Sequence, residues 1–127
     1  MKYRAAGWVN VTSIESKPYD ESGPLPIAEV NVVEDFTGDF AGTGTVRFLM
    51  VSQADGSAHF TGMERFVGRV GEFSGSFIMR NSGMLKDGVI TSEWLVIPES
   101  GTGELAGLCG EGGCNKTDGP FLDYWFE

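Results

Sequence analysis

A period of two runs through this chain, and glycine interrupts it without breaking it. From Ser57 to Val70 the even positions read Ala58, Phe60, Gly62, Glu64, Phe66, Gly68 and Val70, against Ser57, His59, Thr61, Met63, Arg65, Val67 and Arg69. One set is mostly apolar and the other mostly polar, the pattern of a half-buried strand rather than a helix. Residues Ala28 to Asp39 repeat it: Ala28, Val30, Val32, Glu34, Phe36 and Gly38 alternate with largely acidic or amide positions. Ala54-Asp55-Gly56 and Lys86-Asp87-Gly88 read as hairpin turns in which glycine supplies a positive φ. Val70-Gly71-Glu72 and the looser Gly38–Gly42 string add two more. Cut at these signals, the chain predicts eight strands: Tyr3–Thr12, Ala28–Asp39, Thr43–Gln53, Ser57–Val70, Glu72–Leu85, Val89–Ile97, Gly107–Glu111 and Pro120–Glu127. Glycine occupies 19 of 127 positions, about twice the usual share, so the strands can bend. Long bent strands in so short a chain predict one all-β domain over residues 1–127. Its expected form is an eight-stranded antiparallel closed barrel, which removes exposed edges.

Three segments interrupt the meander. Residues Ser13 to Ile27 hold Pro18, Pro24 and Pro26 and predict a loop across one barrel end. Pro98–Ala106 allows one short helical turn capped by Ser100 or Thr102, and Gly112–Gly119 reads as a polar loop. The net charge is −9, which disfavours nucleic acid and anionic membranes as partners. The opening Met1-Lys2-Tyr3-Arg4 lacks an apolar signal region, so a cytoplasmic location is expected. Cys109 and Cys114 lack the further ligands that a zinc site needs, and free thiols are expected. Gly101-Thr102-Gly103 is not followed by Gly-Lys-Ser/Thr and is no phosphate loop. No nucleophile motif appears, and no cofactor is expected.

The residues that break the alternation carry the chemistry. Glu34 and Glu64 fall in the apolar sets of their strands, which points both into the barrel. Burying an unpaired carboxylate costs several kcal/mol, so such a group is paired, protonated or functional. Burial raises a carboxyl pKa and makes a usable general acid or base. Two alternatives stand beside this: a bulge at Gly62 or Gly38 that turns the glutamate outward, or a buried ion pair with Arg47, Arg65 or Arg80. Arg80 is outward by alternation, and His59 reads as a surface histidine. Phe36, Phe48, Phe60, Phe66, Phe77 and Trp94 are the expected inner lining, with Trp8, Met50, Met79, Tyr124 and Phe126 on or near inner faces. Inward glycines at 38, 44, 62, 68 and 75 remove side-chain volume and favour a cavity for a small apolar ligand. A filled core is the opposing possibility. Val33, Leu49, Val51 and Val67 leave apolar residues on outer faces, which favours a homo-oligomer, most simply a dimer.

Lys17-Pro18-Tyr19-Asp20-Glu21, Phe36-Thr37-Gly38-Asp39, Gly42-Thr43-Gly44, Phe73-Ser74-Gly75-Ser76-Phe77 and Gly101-Thr102-Gly103-Glu104-Leu105-Ala106-Gly107-Leu108 occur in this order. Together they resemble a bacterial family catalogued as a domain of unknown function, over roughly Tyr3 to Glu127. The resemblance implies a barrel similar to allene oxide cyclase, in a family that often self-associates. Three functions are compatible with these residues. The first is a barrel binding a small apolar ligand. The second is a cyclase or isomerase in which Glu64 or Glu34 transfers a proton. The third is an interaction protein with a filled core.

Overall fold

A computed structural model describes residues 1–115 and 117–127. Nine strands form in chain order: β1 (Tyr3–Asp20), β2 (Ile27–Gly38), β3 (Phe40–Ser52), β4 (Ala58–Val70), β5 (Phe73–Lys86), β6 (Val89–Val96), β7 (Thr102–Gly103), β8 (Leu108–Cys114) and β9 (Phe121–Phe126). No helix occurs among the described residues, so none is long and apolar enough to cross a membrane. All pairings are antiparallel. Neighbours run β1, β2, β3, β4, β5, β6, β8, β9 and back to β1. Eight strands therefore close a ring, as the alternation predicts, and the two-residue β7 pairs with β5 at Gly75 and Ser76.

The ring has deep and shallow sides. β3 and β4 pair in register from Phe40↔Val70 to Ser52↔Ala58, and β4 and β5 from Ala58↔Leu85 to Val70↔Phe73. Neither ladder is interrupted, so no bulge turns Glu64 outward. The closing seam is short: Tyr3, Ala5 and the residues between them, with Ala6, face Phe121–Tyr124. β9 starts at Phe121, which pairs with Ala6 on one side and Gly113 on the other. Beyond that level no strand stands between β1 and β8 among the described residues. The ring ladder is interrupted there: the Gly7 N–H donates to the Pro120 carbonyl at 3.2 Å, and beyond it β1 continues as a sheet edge paired with β2.

The structure corrects several sequence expectations. Ser13–Asp20 is strand, not loop; the irregular stretch is confined to Glu21–Pro26. Pro18 is tolerated because it sits on the free edge beside a register shift, where a missing N–H removes no ladder bond. The register shifts in this sheet lie in β1, between Val11 and Ser13 and between Pro18 and Asp20, rather than at Gly62 or Gly38. Pro98–Ala106 forms no helix. Ser100 Oγ instead bonds the Ile97 carbonyl at 2.6 Å and accepts from the Ile78 N–H at 3.0 Å, and Thr102 Oγ1 bonds Ser76. Of the loop expected over 112–119, Gly112–Cys114 is strand, and Lys116 lies outside the described residues. Trp8 is 71% exposed on the open edge rather than inward.

Two apolar clusters fill the interior. The larger, at the closed end, includes Phe36, Phe40, Phe66, Phe77, Met79, Trp94, Leu108, Leu122 and Tyr124. Its rings meet edge to face, as in Phe36–Phe66 at 5.3 Å and Phe36–Trp94 at 5.8 Å between centroids. The smaller, toward the open side, is Val30, Val32, Val46 and Phe48, with Ala28, Met50 and Phe60 against it.

Cys109 and Cys114 are free. Four residues of strand, hence five residue steps, separate them, roughly 16 Å at the usual rise, far beyond disulfide reach. Two thiols per chain should therefore react with a thiol reagent in denaturant without reductant. A titration that finds none would overturn this placement.

Candidate functional site

Glu34 of β2 and Glu64 of β4 both face the interior, one strand apart. Between them on β3 the opposing residues are Gly44, paired with Glu34, and Val46, paired with Glu64. Glu64 is 0% exposed and Glu34 9%. Room for the Glu64 carboxyl comes from Gly44: a Cβ there would strike Glu64 Oε2 and the edge of the Phe36 ring. This glycine empties no cavity, because the space it leaves holds an acid. Gly62 is likewise taken up, here by the Phe48 ring and the Arg47 carbonyl.

Asn81 of β5 completes the group. Its Nδ2 donates to Glu64 Oε1 at 2.9 Å, and it is 5% exposed. Alternation identifies it once β5 is followed one step past Met79: Phe73, Gly75, Phe77, Met79, Asn81. Stopping at the charged Arg80 hides a polar residue in an apolar row. Trp94 of β6 is the register partner of Asn81. Among the described residues, three buried polar atoms here have no partner by heavy-atom geometry: the acceptors Glu64 Oε2 and Asn81 Oδ1 and the donor Trp94 Nε1. What faces Glu64 is the Glu34 carboxyl, and two acceptors can bond only if one carries a proton.

Burial, and then the neighbouring Glu34, push the Glu64 pKa up to about 9, against a smaller opposing effect of the Asn81 amide. Two like groups in one dry site cannot both ionise cheaply. No described cation relieves them. Arg47, Arg65 and Arg80 all stand on the outer face, and Arg47 pairs with Glu29 at 3.1 Å. The buried ion pair held open by the sequence is thus absent among the described residues. Glu34 sits where the ring ladder is interrupted. Its register partner on β1, Val11, is 51% exposed. Across the gap the Cys114 thiol is pushed up by burial and then by the Glu34 charge. His59 is exposed, with Nε2 3.1 Å from Gln53 Oε1, far from any reactive grouping.

The aromatic residues divide. Phe36, Phe66, Phe77 and Trp94 surround a void of about 10 Å³, with Phe40, Val70, Met79 and Leu122. That is the size of one water, so the closed end has no room for a ligand as it stands. Phe48 and the half-buried Phe60 belong to the open side, 5.0 Å apart and edge to face. The carboxyl pair and Asn81 lie on the inner face at the level where the closed-end aromatics give way to this second cluster. Sites resembling a nucleophile triad or a metal cluster do not arise; no group of three or more potential metal ligands exists among the described residues.

An eight-stranded antiparallel ring enclosing a buried carboxyl pair defines the class of protein. The chain belongs to the DUF3224 family of proteins of unknown function, whose model matches residues 5–127. It is similar to a DUF3224 protein of unknown function from Shewanella oneidensis MR-1, solved by crystallography. That likeness has 26% identity and a TM-score of 0.76, and covers 100% of this chain and 97% of the other. No functionally curated protein matches the chain by sequence.

The raised Glu64 pKa gives stability a defined pH dependence. Between its ordinary value of 4.5 and about 9 the native state holds a proton that the unfolded chain has released. This contribution is full below 4.5, is lost as pH rises, and levels off above about 9. The slope is at most about 1.4 kcal/mol per pH unit. Carboxylates held low by hydrogen bonds, such as Asp123 with Arg4 and Asp55 with Ser57, act in the opposite sense and at more acid pH. Glu64→Gln keeps the bond from Asn81 and adds a donor toward Glu34, so it should flatten the decline and be the more stable form in mild alkali. Denaturant melts across this range check it; parallel profiles for wild type and variant would contradict it.

Proposed function

We propose that the chain binds a small, largely apolar ligand at the opening between β1 and β8, its polar end held by Glu34, Glu64 and Asn81. One observation carries this reading. Asn81 Oδ1 and Trp94 Nε1 are buried without partners among the described residues, beside a carboxyl pair whose own contact requires a shared proton and next to the apolar wall of Val30, Val32, Phe48 and Phe60. A buried polar group left unsatisfied costs about 1–3 kcal/mol, and a bound polar group would recover part of that. Binding sites generally combine an apolar lining with a few convergent polar groups. The close packing around Phe36, Phe66 and Phe77 favours a ligand seated nearer Trp94, Phe48 and Phe60.

A proton-transfer enzyme of the cyclase or isomerase type is the second reading. It is favoured by a protonated Glu64 beside Glu34, a donor and an acceptor held together in a dry site. Outward Leu49, Met63 and Val67 are exposed and support self-association through the outer sheet as a separate proposal. Light scattering should then give a mass above 13.7 kDa; a monomer at micromolar concentration would count against it.

The binding reading is tested with n-hexanol as the probe. Adding it should move the indole N–H resonance of the buried Trp94 while leaving that of the exposed Trp8 in place. Native mass spectrometry should also find a small molecule retained by protein purified without denaturant. No movement at Trp94 and a bare mass would together overturn it.

A further inference from the structure

We infer that the group held by the carboxyl pair is a cationic amine, so that the ligand is an apolar molecule bearing a protonated nitrogen. This deepens the proposed function and rests on that reading. Hydrogen-bonding stoichiometry is the first argument. With one proton bonding the two carboxyls to each other, Asn81 Oδ1 and the remaining lone pairs of the Glu34 carboxyl are left as acceptors, whereas Asn81 Nδ2 is already committed to Glu64 Oε1. The only unengaged buried donor beside them is Trp94 Nε1. Acceptors outnumber donors, so the missing group is a donor. A hydroxyl supplies one N–H or O–H equivalent and a carbonyl supplies none. An alkylammonium supplies three and no acceptor.

Charge is the second argument. Two carboxyls that share one proton carry one negative charge between them. Every arginine of the strands around the site, β2 to β6, is exposed on the outer face, and no described cation reaches the pair. A buried charge needs a counter-charge. One ammonium neutralises the pair and leaves the shared proton where it is. A carboxylate ligand would add a third negative group to the same space.

Shape is the third argument. Glu34, 9% exposed, is the member of the pair at the gap between β1 and β8, with its register partner Val11 and, across the gap, the Cys114 thiol that its charge reaches. The aliphatic tail then meets Val32, Phe48 and Phe60, and the Phe36 ring edge flanks the Glu64 carboxyl across Gly44. Neighbouring aromatic faces add cation–π attraction.

The test compares three probes of one chain length, n-hexylammonium, n-hexanol and hexanoate, at neutral pH and physiological ionic strength. Binding is followed by calorimetry and by the Trp94 indole resonance. Hexylammonium should bind about tenfold or more tighter than hexanol, and hexanoate should not bind. In the Glu34→Gln/Glu64→Gln double variant the preference for the ammonium should vanish while hexanol still binds. Hexanol binding as tightly as hexylammonium would overturn the amine inference and leave the apolar-ligand reading standing. Failure of all three probes would overturn both. A preference that survives in the double variant would show attraction to the acidic surface rather than to the pair, and would also overturn the inference. Should the double variant fail to fold, a Trp94 shift that hexylammonium produces in the wild type at about a tenth or less of the concentration hexanol needs decides for the proposal, and equal concentrations decide against it.

Discussion

The barrel depends on a seam four residues long. Six of the eight junctions in the ring pair six or more residues, whereas β6–β8 and the closing β1–β9 junction pair only four each, the latter over Tyr3–Ala6 and Phe121–Tyr124. Within it, Ala5, Leu122 and Tyr124 bury their side chains in the closed-end cluster, and Tyr3 stacks on Tyr124 at 5.3 Å. The Arg4–Asp123 pair, bonded at 2.7 and 2.9 Å, crosses the seam on the outside. An exposed ion pair of this kind adds little, so apolar burial and the backbone ladder hold the ring shut. The same shortness leaves the ladder interrupted above Phe121. Closure and access are two consequences of where β9 begins.

That opening explains why a costly group is tolerated at its level and not elsewhere. Below it the interior is close-packed, with a single water-sized void among eight side chains. At its level the packing gives way to two acids and an amide. Gly44 makes this possible by withholding a side chain opposite Glu34, and Phe36 lies against the space so made. Volume, and not only charge, selects the residue at 44.

Much of this was legible in the sequence. Period two in Ala58–Val70 and Ala28–Gly38 specifies the strands, and the Asp-Gly turns specify their order, because each depends on neighbours in the chain. The inward direction of Glu34 and Glu64 follows from the same alternation. What lay outside the sequence depends on contacts between distant residues. Pro18 reads as a loop former because nothing local says that its strand is an edge. Inward glycines read as empty space because nothing local says that Glu64 or Phe48 fills it. Trp8 is polar-neutral in pattern and becomes exposed only because β9 stops short of it. Asn81 was visible in the alternation of β5 and was masked by the charge on Arg80 next to it.

The distribution of charge completes the argument. The chain carries an excess of nine acidic groups, and nearly all of them are on the surface, where water and salt screen them. The Glu34–Glu64 pair is screened by neither. Inside the fold it is met by a proton shared between the two carboxyls and by the Asn81 amide. The proton takes up no space, leaves one charge on the pair and is lost as pH rises. The proposed cation would meet that remaining charge at Glu34, the member of the pair beside the gap, without displacing the proton.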